Sequence, residues 1–478
     1  MSDRITAVVS PRSLGGISLF DADSSLKGSP FKTESVEDFK SSPDDVQNTV
    51  LELERLGFKV TSQSECTVSI EGNKSLFEKI FRQKLSLRKV SMSDSTEESL
   101  LKAGGTVPEY FDVAGQGSRG APKPLEFPGD LRNLIEGVAF SIPPIYFAES
   151  PLPPLSPVHA SAYRYLTVPD EVATLLHASK VHRRGITGRG VVVSMPDSGF
   201  YFHEFYQVHG YRARPTILAA GATDPSSDSS GHGTGEAANI FATAPDIELQ
   251  PIKNGDAIDS IRKSVAAGAQ VISNSWGYDV DKGATTWATL DPYLKALALE
   301  IQLAINRGIT VCFAAGNGHN AFPSGMPDVI AVGGVHLDYP TFSFEASSYA
   351  SSFDSVIFPG RSVPDFCGLT GRRVNINGGK APSLMLPVQP GANLDGIDPS
   401  TGSNNDGWGL FSGTSAACPQ IAGLCALLLE ADPWKTPADV KQSLLSRCRD
   451  VSTGTTAHGV AAVVGPDLAT GAGLATAI

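Results

Sequence analysis

Between residues 190 and 332 the chain repeats a pattern that few folds can satisfy: short runs of consecutive apolar, β-branched residues, separated by helical stretches. The runs lie at 190–195, 247–252, 271–277, 309–315 and 329–332. Helical periodicity covers 258–267, and a strongly amphipathic helix covers 292–307 and stops at Gly308. A strand that is apolar on both faces must be covered on both faces, so the pattern predicts an α/β fold with a parallel sheet and helices on both sides. Ligands of such sheets sit beyond the carboxyl ends of the strands. Polar residues that close these runs are therefore the first candidates for chemistry.

The first run closes in Pro196-Asp197-Ser198-Gly199 and the fourth in Ala315-Gly316-Asn317-Gly318. Asp197 reads either as a turn cap or as a buried carboxylate that fixes a histidine tautomer. Asn317 reads either as an Asn-Gly turn residue or as an amide donor to an oxyanion, a contact worth roughly 3–4 kcal/mol to a transition state. His232 stands among glycines in Ser229-Ser230-Gly231-His232-Gly233-Thr234-Gly235 and leads into a helical stretch. Glu236, one helical turn on, reads better as a solvated helix residue than as a partner of the histidine. Ser412-Gly413-Thr414-Ser415-Ala416-Ala417-Cys418-Pro419-Gln420 runs into an Ala-rich apolar helix, which puts Ser415 where unpaired N–H groups and the helix dipole favour a developing negative charge. Alone, such a serine is as readily an N-cap as a nucleophile. Taken in order, Asp197, His232, Asn317 and Ser415 supply an orienting acid, a base, an oxyanion donor and a nucleophile.

These motifs closely resemble those of the subtilisin-like serine proteases: Pro196-Asp197-Ser198-Gly199, Gly231-His232-Gly233-Thr234, Ala314-Ala315-Gly316-Asn317 and Ser412-Gly413-Thr414-Ser415-Ala416. The resemblance implies that Ser415 attacks a peptide carbonyl, that His232 takes its proton, that Asp197 holds His232, and that Asn317 binds the oxyanion. It also implies a substrate pocket flanked by Ser275-Trp276-Gly277 and Ala314-Ala315-Gly316; Trp276 is equally consistent with a core aromatic. A histidine base predicts activity that rises through the histidine pKa, near neutral. A peptide ligase or macrocyclase would share every one of these residues, and a latent pseudoprotease that binds peptides is the non-enzyme alternative.

Residues 1–90 read as a compact α+β unit: strands at 5–9, 58–61, 67–70 and 85–90, with helices at 44–56 and 75–81. Residues 91–160, punctuated by Pro143-Pro144, Pro151, Pro153-Pro154, Pro157 and glycine pairs, read as a long linker, and 161–478 as the catalytic domain. The first unit resembles the activation domain of the sedolisins and kumamolisins, especially Leu56-Gly57-Phe58-Lys59-Val60 and Leu76-Phe77-Glu78-Lys79-Ile80-Phe81. That implies an intramolecular chaperone and inhibitor, a zymogen, and maturation by cleavage in the linker. The tail resembles the same group in Asp450-Val451-Ser452 and Gly465-Pro466-Asp467, which implies a structural Ca2+ held by Asp450 and Asp467 carboxylates and the carbonyls of Val451, Val463 and Gly465. Oxygen-only ligation suits that ion.

The formal charge of −12 argues against nucleic acid as the main partner. No apolar run reads as long enough to span a bilayer. The first ten residues lack a basic region followed by an apolar core, so no signal peptide is recognised, and the expectation is a cytoplasmic protein or one exported by a non-standard route. The cysteines match no zinc or redox spacing and read as free thiols, mostly buried.

Overall fold

The computed structural model describes residues 4–16, 18–20, 36–92, 97, 106–114, 125, 127, 131–146, 165–280, 286–338, 341–371, 384–395 and 405–478. The N-terminal part builds a small antiparallel sheet. β1 (Arg4–Pro11) lies between two partners, with α1 (Pro43–Arg55), β2 (Lys59–Gln63), β3 (Val68–Asn73) and α2 (Lys74–Phe81) following in the chain. Ser42 caps α1 by accepting from Asp45 N, Pro43 opens it, and Val46, Val50 and Leu53 form its buried stripe. Phe77 of α2 packs against Phe58 and Phe140.

The expected strand at 85–90, β4 (Leu85–Lys89), does not join this sheet; it pairs with β5 (Glu109–Val113). The fourth strand is β6 (Ile135–Phe140), giving the order β2-β3-β1-β6. β6 falls inside the stretch read as linker, as does the two-residue strand β7 (Ile145–Tyr146). Pro143 and Pro144 stand between these two strands, whose partners are distant in sequence. Residues 147–164, with Pro151, Pro153, Pro154 and Pro157, lie outside the described residues, as do Gly104-Gly105 and Gly115-Gln116-Gly117.

The C-terminal part is the expected α/β layer. β8 (Val192–Asp197), α3 (His232–Thr243), β9 (Glu248–Lys253), α4 (Ala257–Ala266), β10 (Val271–Asn274), β11 (Trp276–Asp279), α5 (Pro292–Asn306), β12 (Thr310–Ala314), β13 (Ile330–Asp338), β14 (Phe366–Leu369) and α6 (Thr414–Ala431) carry it. The parallel core runs β9-β8-β10-β12-β13-β14, and Ser343–Ala346 adds antiparallel to β13. Helices α3 and α6 pack together on the sheet, as do α4 and α5. The chain order reverses between β8 and β10, so the crevice beyond their carboxyl ends is the place this topology offers a ligand. Ahead of β8 the chain forms two short helices, Asp170–Leu175 and Ala178–His182, broken where His177 takes a left-handed conformation (φ 59°).

Two helices depart from expectation for one physical reason, burial that sequence periodicity does not reveal. Helix α5 is buried all round from Pro292 to Ala304, including Lys295, Glu300 and Gln302 of its polar face. The N-terminal unit covers that face. Glu300 Oε1 accepts from Ser64 Oγ (2.6 Å), Thr67 Oγ1 (2.6 Å) and Arg262 Nη2 (2.9 Å), while Arg262 Nη1 donates to Ser62 Oγ and Ser69 Oγ (2.9 and 2.8 Å). Burial alone would raise the Glu300 pKa, but Arg262 and the two hydroxyls outweigh it and hold the carboxyl ionised. A buried ion pair is tolerated only with such partners, and here the N-terminal unit supplies four hydroxyls. Ser141, just after β6, also donates to Asp256, the N-cap of α4. Helix α6, at 18 residues and a mean hydropathy of 1.3, is long and apolar enough to cross a bilayer, contrary to the expectation of no such run; it lies buried in the core. All six cysteines are free and five are buried, as expected.

Candidate active site

Asp197 closes β8 with its side chain fully buried, and its Oδ1 accepts from Ser198 N (2.7 Å) and from His232 Nδ1 (2.6 Å). His232 opens α3. Gly231 before it adopts φ 83°, the left-handed region, which turns the chain into the helix. A side chain on Gly233 would collide with the Gly199 carbonyl and Asp197, so glycine there is what lets the helix start press against the strand end. Asp228 fixes this turn: Oδ1 accepts from Gly231 N (3.0 Å) and Ser198 Oγ (2.7 Å), Oδ2 from Thr234 N (2.8 Å) and Thr234 Oγ1 (2.7 Å). Sequence reasoning missed Asp228. The available signal was an acidic residue just upstream of a helix start, where it can satisfy unpaired N–H groups.

Ser415 is the second residue of α6, and Pro419 four residues on has no N–H to bond the Ser415 carbonyl. Ser275 Oγ takes up that carbonyl (2.9 Å), and Ser415 Oγ in turn donates to the Ser275 carbonyl (3.0 Å). This reciprocal pair explains why the run read at 271–277 divides at Ser275 into β10 and β11. Thr414 ties α6 to the end of β12: its Oγ1 accepts from Gly316 N (3.1 Å), and its N and Oγ1 both donate to Asn317 Oδ1 (3.0 and 3.1 Å). Thr414 thus fixes the side-chain oxygen of Asn317 at the end of β12.

The residues expected to flank a substrate pocket lie side by side, because β10 and β12 pair in register Asn274↔Phe313 just before Ser275 and Ala314. Ala314, Ala315 and Gly316 form the end of β12 and the turn after it. Trp276 contributes backbone only; its indole is fully buried, donates to Pro196 O (2.9 Å) and stands edge-on to Phe313. The backbone at Trp276 and Gly277 is already paired, antiparallel, with Tyr146 and Ile145 of β7. The Tyr146 ring lies 5.4 Å from the His232 ring, and Asp197, His232 and Ser415 are all fully buried.

Among the described residues His232 Nε2 has no hydrogen-bond partner, and Glu236 Oε1 lies 3.8 Å from it. The reading of Glu236 as a solvated residue is thus corrected: it is fully buried, because α3 is covered on every side. Burial would lower the His232 pKa, but the charge and hydrogen bond of Asp197, with Glu236 and Asp228, outweigh it and push it up to about 9. Burial pushes Glu236 up to about 8, against the pull of His232. The near-neutral expectation for the base therefore moves upward in this closed arrangement.

In the tail, Gly465 N donates to both oxygens of Asp450 (3.2 Å each), and Asp467 accepts from Val463 N (2.7 Å) and Thr470 N (2.7 Å). These bonds set Asp450 beside Gly465 and Asp467 beside Val463, and Val451, the residue after Asp450, is buried. Among the described residues no group of three or more His, Cys, Asp or Glu side chains is placed to hold a metal.

A family model described as the subtilase family matches residues 188–466. Subtilisin NAT from Bacillus subtilis subsp. natto and subtilisin E from Bacillus subtilis are each 28% identical over 291 residues, covering 57% of this chain and 64% of theirs. A calcium-dependent protease from Nostoc sp. is 26% identical over 313 residues, 57% of this chain and 44% of its own. The chain thus spans less than two thirds of the length of these relatives. Among solved structures, fervidolysin from Fervidobacterium pennivorans, a keratinolytic enzyme related to subtilisin, shares the fold, with a TM-score of 0.51 at 16% identity over 99% of this chain and 60% of that one.

Proposed function

This chain belongs to the subtilase family, and on that premise we propose that it is a serine endopeptidase made as a zymogen, with residues 1–90 and the strands after them acting as its intramolecular chaperone and inhibitor. The observation that carries the reading is the Asp197–His232 hydrogen bond at the end of β8; Ser415 at the start of α6, the tie of Thr414 to Asn317 after β12, and the pairing of β7 with Trp276–Gly277 support it.

A peptide substrate adds as an antiparallel strand to Trp276–Gly277, where β7 now lies, and main-chain hydrogen bonds hold it. Ser415 Oγ then leaves the Ser275 carbonyl and attacks the substrate carbonyl carbon. His232 Nε2 takes the Ser415 proton and later delivers it to the leaving amine, while Asp197 keeps Nδ1 protonated and stabilises the imidazolium. The oxyanion receives hydrogen bonds from the Asn317 amide and the Ser415 backbone N–H. Water repeats the sequence on the acyl-enzyme. Because β7 holds the substrate's place and Tyr146 covers His232, maturation cuts the chain shortly after Tyr146, and residues 1–146 then act as a bound inhibitor until they are released or degraded. The hydroxyls that surround Arg262 and Glu300 support the sedolisin-like reading of that unit as a chaperone, since they satisfy the polar face of α5 while the catalytic layer forms.

The test is labelling with a fluorophosphonate probe before and after limited proteolysis. Labelling of Ser415 that appears only after cleavage supports a zymogen, labelling throughout removes the inhibitory role, and none at either stage leaves the pseudoprotease.

The donor chemistry of the tail suits a structural calcium ion: the carboxylates of Asp450 and Asp467, which lie at the two ends of the segment 450–467, with the carbonyls of Val451, Val463 and Gly465 as further oxygen ligands. Bound there, such an ion would supply the positive charge that lets Asp450 and Asp467 fasten the two ends of the segment together. Saturating calcium is expected to raise Tm by a few degrees, as about 2.7 kcal/mol of binding at a hundredfold excess over Kd implies. Asp467→Asn abolishes that rise. An equal Tm in calcium and in chelator for the unaltered protein would remove the site.

A further inference from the structure

Glu236 has no part in the reaction just described, yet it is built into the site. Its Oε2 accepts from Asn239 Nδ2 (2.9 Å), while Oε1, without a hydrogen-bond partner, faces His232 Nε2. The Asn239 side-chain oxygen accepts from Gln420 Nε2 (3.2 Å), and Gln420 is pinned to both backbone groups of Leu369 on β14 (2.8 and 3.0 Å). Glu236, Asn239 and Gln420 are all fully buried. A chain of polar groups thus runs from the base, through α3 and α6, to the sheet. At its base end stands an acid whose one oxygen without a hydrogen bond among the described residues lies 3.8 Å from the histidine nitrogen that must serve Ser415. A sealed carboxyl in this state carries a proton or shares one with the neighbouring base.

We propose that Glu236 is a positioning residue for His232, a second acid that competes with Ser415 for Nε2 and sets the pH at which the base becomes available. The inference rests on His232 being the general base. In the closed arrangement Ser415 Oγ is turned to the Ser275 carbonyl, so Nε2 is left to Glu236. Other titratable groups face the pair from every side: Asp197 from β8, Asp228 from the turn before α3, Tyr146 from β7, Tyr206 from the helix Glu204–Val208, and Cys418 from α6. The carboxylates among them favour the imidazolium, and burial keeps the phenols and the thiol protonated. The base is the neutral ring, so activity rises as pH passes upward through the His232 pKa. A negative charge on Glu236 holds the proton on and moves that rise to higher pH.

The experiment is the pH dependence of kcat/KM in the self-processed enzyme and in Glu236→Gln, which keeps an acceptor for Asn239 and removes the charge. The rising limb is expected about one pH unit lower in the variant; a limb at the same pH overturns the proposal, and a uniform loss of rate without a shift assigns Glu236 a structural role only. If Glu236→Gln does not fold, Asn239→Ala removes the amide that stabilises the ionised acid and shifts the limb the same way by less; an unmoved limb there overturns the proposal equally. A 15N NMR titration of His232 in the full-length Ser415→Ala chain, with and without Glu236→Gln, gives the same answer without turnover. An inactive wild type would therefore refute the protease reading and leave Glu236 still decided.

Discussion

The Ser415→Ala protein is expected to accumulate as an uncut full-length chain, while the wild type appears as two fragments divided shortly after Tyr146. Members of a catalytic triad act as a unit, and loss of the nucleophile costs roughly 10^6 in kcat. Cleavage complete within minutes in the wild type then does not occur on any practical timescale in the variant. The substitution is gentle on the fold, because the one bond that the hydroxyl donates is to the Ser275 carbonyl, and the clamp on the Ser415 carbonyl comes from Ser275 and survives. A failure to process is thus a failure of chemistry. The measurement is gel mobility with N-terminal sequencing of the new fragment. Equal processing of both proteins would sink self-cleavage, and a new N-terminus far from Tyr146 would sink the view that β7 lies in the substrate's place.

What the sequence made legible follows from what is local in it. Helix α5 was bounded to within a residue, since Pro292 and Gly308 punctuate a strong apolar stripe. Asp197 and Asn317 stood out because a polar residue that ends an apolar run is conspicuous in a parallel sheet, and the two do lie at or just past strand ends. What stayed hidden depends on partners distant in the chain. Nothing near Ile145–Tyr146 announces that these residues pair with Trp276–Gly277, and nothing near Glu300 announces that Ser64 and Thr67 will cover it. Glu236 misled for the same reason. An acid one turn into a helix looks solvated until packing closes over it. Asp228 was missed because two of its four contacts are backbone N–H groups, which leave no trace in residue type, and the other two are hydroxyls of a kind common on any surface.

The second large effect separates the two acids that flank the histidine. Asp197→Asn is expected to lower kcat by about 10^4 with the fold unchanged, because an amide facing Nδ1 donates where the carboxylate accepted and forces the ring proton onto Nε2. That nitrogen then presents a donor to Ser415 and cannot take its proton. In this chain it also presents the donor directly to Glu236 Oε1, 3.8 Å away in the closed arrangement, which holds the unproductive tautomer in place. The loss is therefore expected across the whole pH range, unlike the displaced limb expected of Glu236→Gln. Combining the two substitutions should recover part of the lost rate, since the acceptor that stabilises the wrong tautomer loses its charge. Steady-state kinetics on a peptide substrate, with each variant matured by a trace of wild-type enzyme, decides the matter. A loss under tenfold in Asp197→Asn would mean that another group orients His232, and a double variant slower than Asp197→Asn alone would mean that Glu236 assists the base and does not compete for it.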